Sequence, residues 1–176
     1  MTFINDISMF CSVSILKSKD ECLNKFVLYK TEMENQLGKR IKVFKSDRGG
    51  EYESAEFTKY CEENGIIHQT TAPYSPQFNG IAERKNRTLK NMVNAMLVSS
   101  RLPMTLWGEA VLTAAKILNC IPRKDSEKTP YELFKGRVPS YAYLKVWGCL
   151  AKVFIPLPKR TKLGPKTIDC AFIGYA

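Results

Sequence analysis

The chain has 176 residues, 44% of them apolar and 25% charged, and a formal net charge of +10. That length and balance suit one domain with a real core plus an appendage, and they exclude disorder as the default. No apolar run approaches the ~18 residues of a membrane span, and the N-terminus lacks a signal-peptide layout, so a soluble intracellular protein with no membrane partner is expected.

In chain order, Thr2–Ile4 and Phe10–Leu16 read as strands, the second alternating β-branched and aromatic residues. Their short connection predicts an antiparallel hairpin. Ser18 and Glu21 have capping-box spacing, and Cys22, Phe26, Tyr29, Met33 and Leu37 follow at helical intervals until Gly38 closes the helix. Arg40–Ser46 alternates again, a strand that delivers Asp47 at its C-terminal end. Ser54 is placed to cap a short helix through Phe57, Tyr60 and Cys61, stopped by Gly65, and Ile66–Thr71 reads as a fourth strand. Residues 72–79, with two prolines, form a loop. From Gly80 to about Ser99 the positions Ile81, Leu89, Met92, Val93, Met96 and Leu97 mark an amphipathic helix. Thr105 is placed to cap the next, which carries Trp107, Val111, Ala114 and Leu118.

Beyond Pro122 the texture changes. Thr129-Pro130 opens a helical turn with proline at its first position, and Lys145–Ile155 and Thr167–Tyr175 read as β segments around a Pro/Lys-rich loop. A soft boundary near residue 122 separates an α/β or α+β core from a small, basic, β-rich tail.

The six cysteines are scattered singly and His68 is the only histidine. A zinc module and most hydrolase triads are therefore disfavoured, and the cysteines read as reduced thiols. His68 itself reads as a hydrogen-bonded strand residue. The positive charge is unevenly placed: residues 1–79 hold 10 Lys/Arg against 11 Asp/Glu, and residues 80–176 hold 17 against 6. All the excess begins at the helix from Gly80, as expected of a polyanion binder with nucleic acid as the leading candidate. A merely solvated basic surface remains the alternative on charge alone.

Two carboxylates carry the chemical reading. Asp47 ends a strand, Glu83 lies on the first turn of the basic helix, and 35 residues separate them. Either alone also fits a plain structural role, Asp47 in a turn and Glu83 at a helix N-terminus. Together they suit divalent metal: two ions about 3.5–4 Å apart activate the attacking oxygen and stabilise the leaving one in displacement at phosphorus. Mg²⁺ takes hard oxygen ligands and usually only one or two protein carboxylates. Arg87 and Lys90 lie at i+4 and i+7 from Glu83, and Arg84 and Lys85 add donors, so the helix reads as a phosphate track. Gln77 and Asn79 contribute polar groups from the preceding loop.

The words around these residues resemble the integrase of copia-type long-terminal-repeat retrotransposons, a segment of their Pol polyproteins. They are Lys45-Ser46-Asp47-Arg48-Gly49-Gly50-Glu51-Tyr52, Glu63-Asn64-Gly65-Ile66-Ile67-His68-Gln69, Ala72-Pro73-Tyr74-Ser75-Pro76-Gln77-Phe78-Asn79-Gly80 and Ala82-Glu83-Arg84-Lys85-Asn86-Arg87-Thr88-Leu89. Downstream, Leu106-Trp107-Gly108-Glu109-Ala110, Thr129-Pro130-Tyr131-Glu132, Val146-Trp147-Gly148-Cys149 and Phe172-Ile173-Gly174-Tyr175 continue the match.

The resemblance implies an α/β, ribonuclease-H-like integrase core at 1–100, lacking its first strand. A helical connector at 101–144 and a partial SH3-like β segment at 145–176 would follow. It also implies a three-carboxylate site binding Mg²⁺ or Mn²⁺, with Asp47 second and Glu83 third, that joins element 3′ ends to target DNA. DNA and a homo-oligomer are the implied partners, and the nucleus the implied location. The family's first Asp lies on a strand before Thr2-Phe3-Ile4; Asp6 occupies a different position, and Asn5 stands where a second acid is usual. An interrupted sheet and an isolated chain unable to join DNA are expected on that account. The other readings are a non-catalytic DNA-binding remnant and a host-adopted protein-interaction module.

Overall fold

The alternation near the N-terminus resolves into an antiparallel hairpin. β1 (Thr2–Ile4) pairs with β2 (Cys11–Val13) in the register Phe3↔Ser12. The computed structural model describes residues 1–71, 80–124 and 126–175. These form two compact units, the first containing Met1 and Ser14–Lys85 and the second Thr2–Val13 with the chain from Asn86 onward.

In the first unit a 3-10 turn at Lys19–Glu21 precedes helix α1 (Cys22–Leu37). Ser18 makes no side-chain cap; Glu21 Oε2 instead accepts the Lys17 amide at 3.2 Å. The extra 3-10 turn moves the helix start downstream, which is why the expected capping box does not close. Gly38 ends α1 with φ of 61°, its amide donating to Glu34 O. Glu34 Oε1 also accepts the Ile41 amide at 2.8 Å. That bond ties Ile41 to the helix end, and strand β3 begins only at Val43, running to Ser46. Ser54 caps α2 (Ala55–Glu63) by accepting the Phe57 amide, as expected from sequence. Strand β4 (Ile67–Thr70) pairs parallel with β3, Phe44 opposite His68 and Ser46 opposite Thr70.

An aromatic cluster forms the core of this unit. The fully buried Phe26 and Phe57 lie 5.2 Å apart between ring centroids, and Phe44 lies 4.6 Å from Phe26. Tyr52, Tyr60 and His68 close the cluster. Such tilted and edge-on contacts favour a fixed geometry beyond the area they bury, so the β3–β4 pair that carries Asp47 rests on a rigid floor.

The second unit is built on helix α3 (Gly80–Ser100) from Asn86 onward and on α4 (Trp107–Asn119). Leu89 of α3, Ala114 and Ala115 of α4 and Cys11 of β2 share one buried cluster. Thr105 lies inside a 3-10 turn, Met104–Leu106, and does not cap α4, so that expectation is also corrected. The turn between β1 and β2 is organised by Asn5, whose Oδ1 accepts the amides of Ile7 and Ser8 and the Ser8 hydroxyl. Asn5 is thus a turn-former, and Asp6 an exposed turn residue.

Asn119 makes the decisive polar contact of this core. Its Oδ1 accepts the Cys11 amide at 2.8 Å and its Nδ2 donates to Cys11 O at 2.7 Å, all buried. Replacing Asn119 by Ala would strand both backbone groups and is expected to cost about 2–4 kcal/mol, measurable by urea denaturation. A loss below about 0.5 kcal/mol would mean that water reaches Cys11.

Helix α5 (Pro130–Lys135) has a complete Thr129/Glu132 capping box with proline at its start, and Phe134 stacks on Phe10 at 4.2 Å. Strands β5 (Leu150–Phe154) and β6 (Thr167–Ala171) form one antiparallel pair. Among the described residues the strands form three two-stranded sheets. No described helix is long and apolar enough to cross a membrane.

Candidate metal and nucleic-acid site

Asp47 leaves β3 through a tightly held backbone. The preceding carbonyl, Ser46 O, accepts both the amide and the hydroxyl of Thr71, at 3.0 and 2.9 Å. Ser46 Oγ donates to Asp47 O at 2.8 Å and lies 2.8 Å from His68 Nε2. Arg48 Nε donates to Thr71 O, bracing the same crossing from the far side. The Asp47 side chain is exposed, with Oδ1 accepting the Gly49 amide at 3.2 Å. A carboxylate with one oxygen in an Asx turn and an open face suits a hard cation.

A Cβ at Gly49 would lie 2.9 Å from the Glu51 carboxyl carbon, so a larger residue there would displace the end of that flexible side chain from over the loop. Lys19 Nζ sits 3.5 Å from Glu51 Oε2, but Lys19 is largely exposed and the pair adds little stability. Beneath the loop, burial raises the Tyr52 hydroxyl well above its ordinary range, with the nearby Cys22, Asp47 and Glu51 adding to the effect. Burial likewise raises the Cys22 thiol, which keeps it protonated and a poor ligand. A pocket of about 380 Å³ opens beside this loop, lined by Lys19, Cys22, Gly50, Glu51 and Ser54. Neither Asp47 nor Glu83 lines it, so it is not the carboxylate site.

Glu83 occupies the first turn of α3 and is exposed. It falls in the same compact unit as Asp47. Arg84, Arg87 and Lys90 are exposed on the same helix and Lys85 is half-buried; Arg84 Nε also donates to Gly80 O at 3.0 Å. Gln77 and Asn79 lie outside the described residues. Among the described residues no group of three His, Cys, Asp or Glu side chains is arranged to hold a metal ion. All six cysteines are free thiols. The sequence reading left Ser46 and Glu51 without a role and His68 as an ordinary strand residue. The parallel register of β3 with β4 brings His68 to Ser46 beside Asp47, while Glu51 folds back over the loop that follows.

No family model matches the chain. It is 43% identical, over 99% of its length, to the retrovirus-related Pol polyprotein from transposon TNT 1-94 of Nicotiana tabacum. It is 31% and 30% identical, again over 99% of its length, to those from transposons RE2 and RE1 of Arabidopsis thaliana. The chain spans 12–13% of the length of these relatives. Among solved structures, the HTLV-2 integrase catalytic core domain in complex with magnesium matches with TM-score 0.57 and 26% identity, over 76% of this chain and 82% of that one. A chain of the simian T-cell lymphotropic virus intasome in complex with PP2A regulatory subunit B56 gamma shares the fold. Its TM-score is 0.64 at 20% identity, over 97% of this chain and 60% of that one. Whole-chain identity to these polyproteins and the shared mixed α/β core lead to one conclusion: the chain belongs to the Pol polyprotein family of copia-type retrotransposons, and its fold is that of an integrase catalytic core.

Proposed function

We propose that the chain supplies part of a metal-dependent DNA-joining centre, with Asp47 and Glu83 as carboxylate ligands for Mg²⁺ or Mn²⁺. The observation that carries this reading is that both carboxylates, spaced by 35 residues in family-matching words, are exposed and fall in one compact unit. The donor set fits: two hard oxygen donors, with the neighbouring thiol kept protonated by burial. What a divalent ion supplies in such a site is charge neutralisation at phosphorus and activation of the attacking oxygen.

The chain's own residues do the rest. The β3 end holds Asp47 rigidly, and the first turn of α3 presents Glu83. Arg84, Lys85, Arg87 and Lys90, with Gln77 and Asn79 just before them in the sequence, hold the phosphate backbone of element ends and target DNA. The working form is a homo-oligomer acting in the nucleus, where the DNA lies.

A second reading follows from the absence of a third metal-binding side chain near the pair among the described residues. The 176-residue chain by itself binds DNA without joining it, since an incompletely held charge array loses most of its rate advantage. Mn²⁺ titration is expected to show binding that weakens about tenfold or more in Asp47→Asn and in Glu83→Gln. Affinity indifferent to both substitutions would sink the ligand assignment. Strand-transfer assays with Mg²⁺ or Mn²⁺ on matched ends should give negligible product; robust joining abolished by Glu83→Gln would overturn the second reading.

A further inference from the structure

His68 is the chain's only histidine, and its environment is more specific than a surface strand requires. It is half-buried on β4, with its ring 5.6 Å from that of Phe44 and 5.4 Å from that of Phe57. Its Nε2 lies 2.8 Å from Ser46 Oγ, and Ser46 immediately precedes Asp47.

Proton counting favours one direction for this contact. The Ser46 hydroxyl has one proton, and Asp47 O, 2.8 Å away, can only accept it. Both contacts form at once only when Nε2 carries a hydrogen and donates to Ser46 Oγ. Burial lowers the pKa of His68, with Glu53 opposing, which favours the neutral ring; the contact to Ser46 Oγ then selects its Nε2–H form. Nε2–H thus orients the Ser46 hydroxyl, and that hydroxyl holds the Asp47 carbonyl. Thr71 meanwhile fixes the Ser46 carbonyl with two donors. The carbonyls on both sides of the Asp47 Cα are thereby held, which fixes the backbone from which its carboxylate projects.

We propose that His68 is a positioning residue for Asp47, acting through Ser46: its Nε2–H fixes the hydroxyl that sets the strand exit and so aims the Asp47 carboxylate. The inference rests on the metal-binding reading of Asp47, and goes beyond it by assigning an outer support to that ligand, the kind of contact that orients ligands in metal sites.

The test uses the full 176-residue chain and Mn²⁺ alone as the probe. With one histidine, the ¹⁵N spectrum of the imidazole has a single set of signals, and the neutral ring is expected as the Nε2–H tautomer. His68→Leu and Ser46→Ala should each weaken Mn²⁺ binding about fivefold, the factor that one ordinary net hydrogen bond represents. The double variant should be no weaker than either single, since both cut the same link. His68→Gln, whose amide places an N–H at similar reach, and Ser46→Thr, which keeps the hydroxyl, should restore affinity. The Asp47 and Gly49 amide resonances should shift in the Leu and Ala variants and return in the Gln and Thr variants, with or without metal.

A ring in the Nδ1–H tautomer would overturn the proposal, as would His68→Gln behaving like His68→Leu or multiplying losses in the double variant. Failure of the metal reading looks different: Mn²⁺ affinity would be absent or unaffected by Asp47→Asn. The tautomer and the amide shifts would still decide whether His68 positions Asp47.

Discussion

Replacing Trp147 by alanine is expected to destabilise the second unit by about 3–5 kcal/mol. Trp147 is buried against Leu97 and Ala110, with Val93, Met96, Leu102 and Leu106 around it. Its Nε1 donates to Ile173 O at 2.7 Å, so the ring joins the helices to the chain just after β6. Next to it, Gly148 donates its amide to Phe172 O and Phe172 donates to Cys149 O, extending the β5–β6 pairing toward the helices. Gly148 has φ of +83°, and a Cβ there would run into the Ser100 side chain, so the residue following the tryptophan cannot readily be anything larger. Lys116 adds a cation–π contact to Tyr175 at 4.5 Å, and Tyr175 Oη accepts the Lys145 amide.

Removing the indole therefore leaves a large void and an unpaired Ile173 carbonyl. Trp147→Phe, which mostly refills the void, should lose only about 1–2 kcal/mol, chiefly the hydrogen bond. Urea denaturation followed by circular dichroism separates the two, and near-equal losses would show that packing is not what Trp147 contributes. The other tryptophan, Trp107, is half-exposed on α4 and serves as an internal control: its alanine variant should lose far less.

This pattern explains which parts of the fold were legible in the sequence. Local devices were read correctly where all their atoms lie within one turn. The Thr129-Pro130 helix start, the Ser54 cap and the Gly38 stop are of that kind. Ser18 and Thr105 had the right residue types, but a 3-10 turn at each site moved the helix start away from the cap. Pairings over long separations were not legible. Nothing in the words around Cys11 points to Asn119, and nothing around Trp147 points to Ala110, because those contacts depend on how elements dock.

The candidate site divides the same way. Asp47 and Glu83 stand out through spacing and flanking words, which a linear reading captures. The Ser46–His68 contact needed the parallel register of β3 and β4, in which the two strands run beside each other across 20 intervening residues that give no signal of it. Gln77 and Asn79 remain sequence assignments, since they lie outside the described residues.

The largest functional effect is expected on the cationic face of α3. Neutralising Arg84, Arg87 and Lys90 together as glutamines should weaken DNA binding about a hundredfold at 0.15 M salt. The estimate follows from counterion release: each phosphate contact adds about 0.9 to the slope of log affinity against log salt, so three contacts account for about 2.7. Glutamine has nearly the helix propensity of arginine and lysine, and the residues are exposed, so α3 should persist. Affinity measured from 0.05 to 0.3 M salt on two unrelated duplexes tests both parts. Phosphate contacts predict the same loss on each duplex and a slope smaller by about 2.7, because they carry no sequence information. A matched variant in the β5–β6 loop, Lys159, Arg160 and Lys162 to glutamine, shows whether any cluster of three cations would do as well. If the loop variant loses as much as the helix variant, charge alone attracts DNA and α3 is no track. If the helix variant loses most of the slope and the loop variant little, the cations that follow Glu83 are the ones that contact phosphate.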